Sequence, residues 1–330
     1  MDVPKQTTTL MSPPPEWSIP VMKPVQCSSS IKPVVGTSSS LSKQYSRPCA
    51  APNMSSVRPE PILQQAFLLL LQQKYDDLEV LADELKSIRQ DLTIQHIDNA
   101  FSATVYEVYT RLAIELNHWT ELGQCFTIVH KLHARGIVGS NSLVSRSAAA
   151  PSSSPQLSIL LPPANCANSV DEFAMLRVIY AGLVSTYEDN VAFEVRSIAR
   201  TSVGDGKGGG ATRGSSTSLM RFAVESVNCK HNPVLFLACL HRAPTSLVRQ
   251  LLRIFLPRLR LAWLRTVVNG FEDFLSESML VKLLGFSSEG EVCAVLQPVL
   301  KKLYRGGFRC SMCRKTIVSY IDDLESRDKK

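Results

Sequence analysis

From Ile62 to His133 the apolar residues recur at steps of three and four. Ile62–Gln73 is strongly apolar, and in Tyr75–Leu92 the residues Leu78, Leu81, Leu85, Ile88 and Leu92 draw one stripe down a helix. Ile94, Ile97, Phe101, Val105, Val108, Leu112 and Leu116 repeat the rhythm, and Trp119, Leu122, Phe126, Val129 and His133 do so again. The spacing predicts successive amphipathic helices with short connections, which can bury their stripes only against each other. An antiparallel bundle and an α-solenoid of helix pairs both satisfy that demand. No fixed repeat of the tetratricopeptide kind is present, so a solenoid would be irregular.

The pattern resumes in "DEFAMLRVIYAGLVSTY", with Asp171 and Glu172 near its start, where carboxylates favour a helix N-terminus. "LMRFAVESV" and "NPVLFLACLHRA" follow, the latter with Pro233 at an entry position. In "SLVRQLLRIFLPRLRLAWLRTVVNGF" Pro257 is expected to break or kink the helix. From Phe271 the elements shorten. "LSESMLVKLLGF" and "SSEGEVCAVLQPVLKKLY" read as two helices, and "FRCSM", a turn and "TIVSYI" read as a hairpin. Helix, helix and two-stranded wing is the order of a winged helix. The expected fold is therefore mainly α: an irregular α-solenoid of helix pairs over 57–270, a winged helix with a small β-hairpin over 271–321, and a charged tail at 322–330.

Composition adds interruptions to that scheme. Residues 1–56 are rich in Ser, Pro and Thr and cannot bury enough apolar surface to offset chain entropy, so a disordered arm is expected, with order starting near "SVRPEPILQQAF". Two Ser-, Pro- or Gly-rich insertions, near 136–169 and 201–218, read as flexible loops. The nine cysteines do not form the pattern of a small secreted disulfide framework, which points to a reducing compartment. The longest aliphatic run, Ala66–Leu71, is far short of the ~20 residues that cross a bilayer, and no secretory signal is apparent at the N-terminus. Cytosol and nucleus both stay open.

Candidate catalytic chemistry is sparse. "GDGKGGGATRG" invites a phosphate-loop reading, but no strand precedes it and the P-loop and dinucleotide patterns both fail in context, so a linker is the better reading. Cys310 and Cys313 make one C-x-x-C without the second pair a structural zinc wants, and read as two strand residues in the wing. His130 and His133 sit at i, i+3 with no third ligand, and read as a partly exposed pair on a helix flank. No Ser/His/Asp, Cys/His or paired-carboxylate signature stands out. No enzyme activity, cofactor or metal is expected.

Charge is more informative. Between Arg221 and Lys315 there are fifteen Lys/Arg against six Asp/Glu, an excess larger than the net +7 of the whole chain. Arg305, Arg309, Arg314 and Lys315 crowd the expected wing beside Tyr304 and Phe308, and with Lys301 and Lys302 of the preceding helix they are the candidate nucleic-acid-binding residues. Such cations neutralise phosphates, while aromatics stack on unpaired bases. A solvated cationic face, or a dock for an acidic protein, fits the same charges.

The stretch "KSIRQDLTIQHI" (Lys86–Ile97) is the most specific of all. Its aliphatics fit the stripes on either side, which places Thr93 at a helix–helix join where Asp91 or Thr93 could cap the second helix. Lys86, Arg89, Gln90, Asp91, Thr93 and Gln95 are expected to organise a structural corner by polar contacts. The pattern of Lys86, Ser87, Ile88, Arg89, Gln90, Asp91, Leu92, Thr93, Gln95 and Ile97, followed by Phe101, Val105, Tyr106, Glu107, Arg111, Ala113 and Glu115, closely resembles the central signature of the Sac-three/GANP family. Ser56–Pro59 ("SVRP"), Gln124, Cys125, "EFAMLRVIY" and "FLSESMLVKLLGF" extend the resemblance. It implies a PCI-like fold and a non-enzymatic scaffold in nuclear messenger-RNA export or transcription-coupled RNA processing. Also implied are pairing with a second PCI-domain protein, a small acidic Sem-one-like partner, RNA binding by a basic winged-helix face, and a place in the compact, RNA-processing branch. The rival reading is a PCI assembly subunit of a proteasome-lid or COP-nine-signalosome-like complex without RNA contact.

Overall fold

The computed structural model describes residues 35–45, 53–73, 75–139, 169–184, 195–196, 213–296 and 307–327. All lie in the unit Val34–Lys330. Most of the expected N-terminal arm, most of the two insertions, and Lys301, Lys302 and Arg305 fall outside them.

The chain is mainly helical. Eleven α-helices and one two-stranded antiparallel sheet occur among the described residues. The helices are α1 (Glu60–Gln72), α2 (Leu78–Ile94), α3 (Ala100–Glu115), α4 (Trp119–His133), α5 (Ser169–Val184), α6 (Arg213–Asn228), α7 (Pro233–His241), α8 (Ser246–Gly270), α9 (Glu277–Leu284), α10 (Glu289–Leu296) and α11 (Cys310–Arg327). Consecutive helices from α1 to α8 touch, and α8 reaches back to α3 and α5 and forward to α11.

Local chemistry explains where the first helices start and stop. Asp77 caps α2 by accepting the Glu79 amide at 2.9 Å. Asn99 and Ser102 form a reciprocal capping box at the start of α3. The ends of α2, α3 and α4 share one device. His96, Asn117 and Gly136 take left-handed backbone, and the amides of Ile97, His118 and Ile137 close back onto Leu92, Ala113 and Leu132. The cap of α3 is therefore Asn99, and the expected join at Thr93 is corrected: α2 runs on to Ile94.

The core places α3 at its centre. Every residue from Phe101 to Ile114 is buried, so the single expected stripe is replaced by burial on all sides. Leu63, Phe67, Leu85, Ile88, Leu92, Cys125, Val129, Phe173 and Leu176 belong to the same core, with the Phe67 ring edge-on to Phe101 of α3. A helix buried all round must satisfy its polar side chains internally. Arg111 pairs with Glu172 of α5 at 2.7 Å, and Glu107 with His133 of α4 at 2.8 Å. His133, expected to be partly exposed on a helix flank, is half-buried there, with its side chain turned in to Glu107 and its ring edge-on to Phe173.

Two other expectations change. Helix α8 continues through Pro257, which sits on its exposed side, rather than breaking there. The expected hairpin of "FRCSM" and "TIVSYI" does not form. β2 (Gly307–Arg309) pairs back with β1 (Phe274–Ser276) in the register Phe274↔Arg309, Leu275↔Phe308, Ser276↔Gly307. Everything from Cys310 to Arg327 is α11, so Cys310 and Cys313 are helical and the expected charged tail is helix as far as Arg327. The period decides it: Cys310, Ile317 and Ile321 are buried while their i+2 neighbours are not, a helical and not an alternating pattern. Leu275 and Phe308 bury the inner face of the sheet, and Gly307 at φ +150° lets the backbones meet, since a Cβ there would lie 2.1 Å from the Leu275 carbonyl oxygen.

Candidate functional site

The signature residues sit on the second half of α2, and the structure brings most of them together. Asp91 is fully buried and holds two cations: Arg58 Nε at 2.7 Å and Lys43 Nζ at 2.6 Å. Arg58, also fully buried, spreads its other donors to the Leu41 carbonyl at 3.2 Å and to Ser87 Oγ at 2.9 Å. Gln95 donates to the carbonyls of Arg58 and Asp91 and accepts the Gly36 amide at 3.0 Å. Buried charge survives only when paired and fully hydrogen-bonded, and here it is both.

Arg89 leaves the opposite side of α2. Its guanidinium lies 4.1 Å from the Tyr109 ring centroid and 5.4 Å from that of Tyr106, and Nη1 donates to Glu121 of α4 at 2.8 Å. Thr93 Oγ1 donates to the Arg89 carbonyl, so the Tyr106 hydroxyl at 3.0 Å donates to it in turn. Lys86 pairs with Asp83 at 3.3 Å, and Gln90 is half-buried. Cys125 lies in the same pocket, where burial pushes its thiol up to about 11. The Arg89–Glu121 ion pair, the stacked tyrosines and the buried Cys125 make a clamp for α2, α3 and α4.

The reading from sequence gave no role to Arg58 or Lys43. A signal was present: an Asp between the inward-facing Ile88 and Leu92 needs a cation from elsewhere. What could not be read is that residues 35–45, assigned to the disordered arm, supply one. They carry no regular secondary structure, and the Thr37 and Ser38 amides are bonded to the Met54 and Val57 carbonyls.

The C-terminal cations divide by role. Arg309 is exposed on β2, opposite Phe274, and Lys315 is exposed on α11. Arg314 is half-buried, with Nε and Nη2 donating at 3.1 Å to the Val268 and Phe271 carbonyls at the end of α8. Such a cation satisfies backbone acceptors that a helix end leaves open. Arg260 is likewise engaged, with the carbonyls of Leu284 and Gly285, with Glu291 and with the Phe286 ring, and Arg265 pairs with Asp322. Helix α8 carries five arginines and no acid, of which Arg253 and Arg258 are exposed.

Among the described residues no group of three His, Cys, Asp or Glu is placed to hold a metal ion, and no helix is long and apolar enough to cross a membrane.

Residues 32–133 match the model of the SAC3/GANP family. SAC3 family protein A of Arabidopsis thaliana is 42% identical over 106 residues, 32% of this chain and 10% of that protein. The THP3 homolog of Schizosaccharomyces pombe is 41% identical over 109 residues, 32% of this chain and 27% of that protein. Protein THP3 of Saccharomyces cerevisiae is 40% identical over 95 residues, 28% of this chain and 20% of that protein. The match thus spans about a quarter or less of each relative's length. It covers the strap at 35–45, helices α1 to α4 and both halves of the buried clamp, and through this segment the chain is similar to the SAC3/GANP family.

Proposed function

We propose that the chain is a non-enzymatic scaffold subunit of a nuclear messenger-RNA export or transcription-coupled RNA-processing complex, of the compact kind. It pairs with a second PCI-domain protein, holds or adjoins a small acidic partner, and binds RNA through the basic face around β2 and α11. The fold reading behind this is an irregular PCI-like α-solenoid ending in a winged helix. Support for the solenoid comes from the unbroken succession of touching helices α1 to α8. The winged helix is supported by the order α8, β1, α9, α10, β2, which is helix, strand, helix, helix, strand.

The observation that carries RNA binding is the placement of Arg309 and Lys315 in solvent, one on the sheet and one on the helix that follows it. Among the described residues neither forms an ion pair. Exposed, uncompensated cations on adjacent elements suit a phosphate backbone. Binding of single-stranded RNA should be salt-sensitive and should weaken at least about tenfold when both are changed to Glu; equal binding by the double variant would remove this face from the proposal.

The rival reading, an assembly subunit without RNA contact, is favoured by one observation. Phe271, Phe274, Met279 and Met312 lie exposed on or beside the same sheet and helices, and apolar side chains of that size suit a protein partner. Mass spectrometry of the complex purified from cells separates the two: export and processing factors support the first, proteasome-lid or COP-nine-signalosome subunits the second.

A further inference from the structure

Residues 35–45 form a strap across the C-terminal half of α2, and its attachment is almost wholly polar. Gly36 is the one buried residue in it, while Val35, Leu41 and Tyr45 are 63%, 40% and 41% exposed. What holds it is a short series of hydrogen bonds and ion pairs. Gly36 reaches Gln95, the Leu41 carbonyl accepts from Arg58, Ser42 Oγ donates to Glu84 at 3.0 Å, and Lys43 meets Asp91 at 2.6 Å. A segment that buries little apolar surface opens at a small fraction of the free energy of global unfolding.

The charges under the strap are balanced. Arg58 and Lys43 face Asp91 and Glu84, two of each sign. Opening the strap removes Lys43 but leaves Arg58 and Asp91 as a closed pair, so no buried charge is stranded. The weak point is Ser42. It is exposed on a segment without regular secondary structure, and its hydroxyl is the donor to a carboxylate.

We propose that Ser42 is a phosphoryl-acceptor site, and that its modification by an ATP-dependent serine kinase releases the strap. The step forms a bond from Ser42 Oγ to the γ-phosphorus and breaks the bond from that phosphorus to the bridging oxygen. ADP leaves, and the hydroxyl proton passes to a base or to water. The product carries about −1.5 to −2 charge and no longer donates a hydrogen bond. It lies against Glu84, and it competes with Asp91 for Lys43, the next residue along the chain. Both side-chain attachments at this end of the strap are lost together, while the Arg58–Asp91 pair keeps α2 in place.

The test uses the full chain with phosphoserine incorporated at position 42, and a second sample with phosphoserine at Ser39, which is exposed on the same strap. Hydrogen exchange is read at the Gly36 and Ser38 amides, whose partners are Gln95 and Val57. Phosphoserine at 42 should raise their exchange at least about tenfold and phosphoserine at 39 less than about threefold, with the melting of α2 and α3 unchanged. Equal exchange in the two samples, or no change at 42, overturns the release. Phosphopeptide mapping of the chain isolated from its own cells with phosphatases blocked should find phosphate on Ser42; finding Ser42 unmodified overturns the site.

Discussion

Arg58 and Asp91, 33 positions apart in sequence, meet at 2.7 Å with neither side chain exposed. Removing one partner of such a pair strands the other charge away from water. Asp91→Ala should therefore cost about 3–5 kcal/mol, far more than a surface ion pair. Equilibrium denaturation in urea measures it. A loss below about 1 kcal/mol would mean that Arg58 finds water when Asp91 is gone, contrary to its complete burial.

The clamp at Arg89 makes a sharper demand. The side chain needs both its charge, for Glu121, and its flat shape, for Tyr109. Lysine supplies the first and not the second. Arg89→Ala should lower stability by about 2–4 kcal/mol, and Arg89→Lys should recover less than half of that. Full recovery by lysine would show that stacking on Tyr109 contributes nothing.

These two clusters also show what could be read from the chain alone. The apolar period found α1 to α4, because Leu81, Leu85, Ile88 and Leu92 face the core at the spacing a helix requires. It could not find that α3 is buried on every side, since Glu107, Arg111 and Thr110 look like a solvated face until His133 and Glu172 arrive from α4 and α5. The corner at Lys86–Gln95 was legible as polar and organising, but Lys43 and Arg58 were not, because partners 48 and 33 residues away leave no local trace. Across the C-terminal part the β-branched run in "TIVSYI" suggested a strand, and tertiary packing against α8 made it helix.

Acid should loosen the junction of α3, α4 and α5. Burial, with Arg177 and His133 adding to it, holds His130 down at about 4 instead of the usual 6.5. Between those values the unfolded chain binds the proton that the folded chain refuses. Stability is therefore greatest above pH 6.5 and falls as pH drops from 6.5 toward 4. The contribution is about 1–2 kcal/mol once solvent screening at this half-buried ring is allowed for. Thermal melts of the native chain and of His130→Gln across that range should differ in slope, the variant being the flatter. Parallel curves would assign the acid sensitivity to other groups.

Neighbours on α11 should behave in opposite ways. Arg314 ties α11 to α8 through two backbone carbonyls, whereas Lys315 points into solvent. Arg314→Ala leaves the Val268 and Phe271 carbonyls short of a donor, and should cost about 1–3 kcal/mol in stability. Lys315→Ala should change stability by less than about 0.5 kcal/mol, as a surface substitution does. For RNA the order reverses if the proposed face is right. Lys315→Ala weakens binding and lowers its dependence on salt by about one counterion. Arg314→Ala leaves that salt dependence unchanged wherever the protein is still folded, because its guanidinium is already committed to carbonyl oxygens. Titration of each variant with fluorescent single-stranded RNA at several salt concentrations, beside its melting temperature, reads both quantities. An Arg314→Ala variant that keeps its stability and loses a counterion would reverse the two assignments.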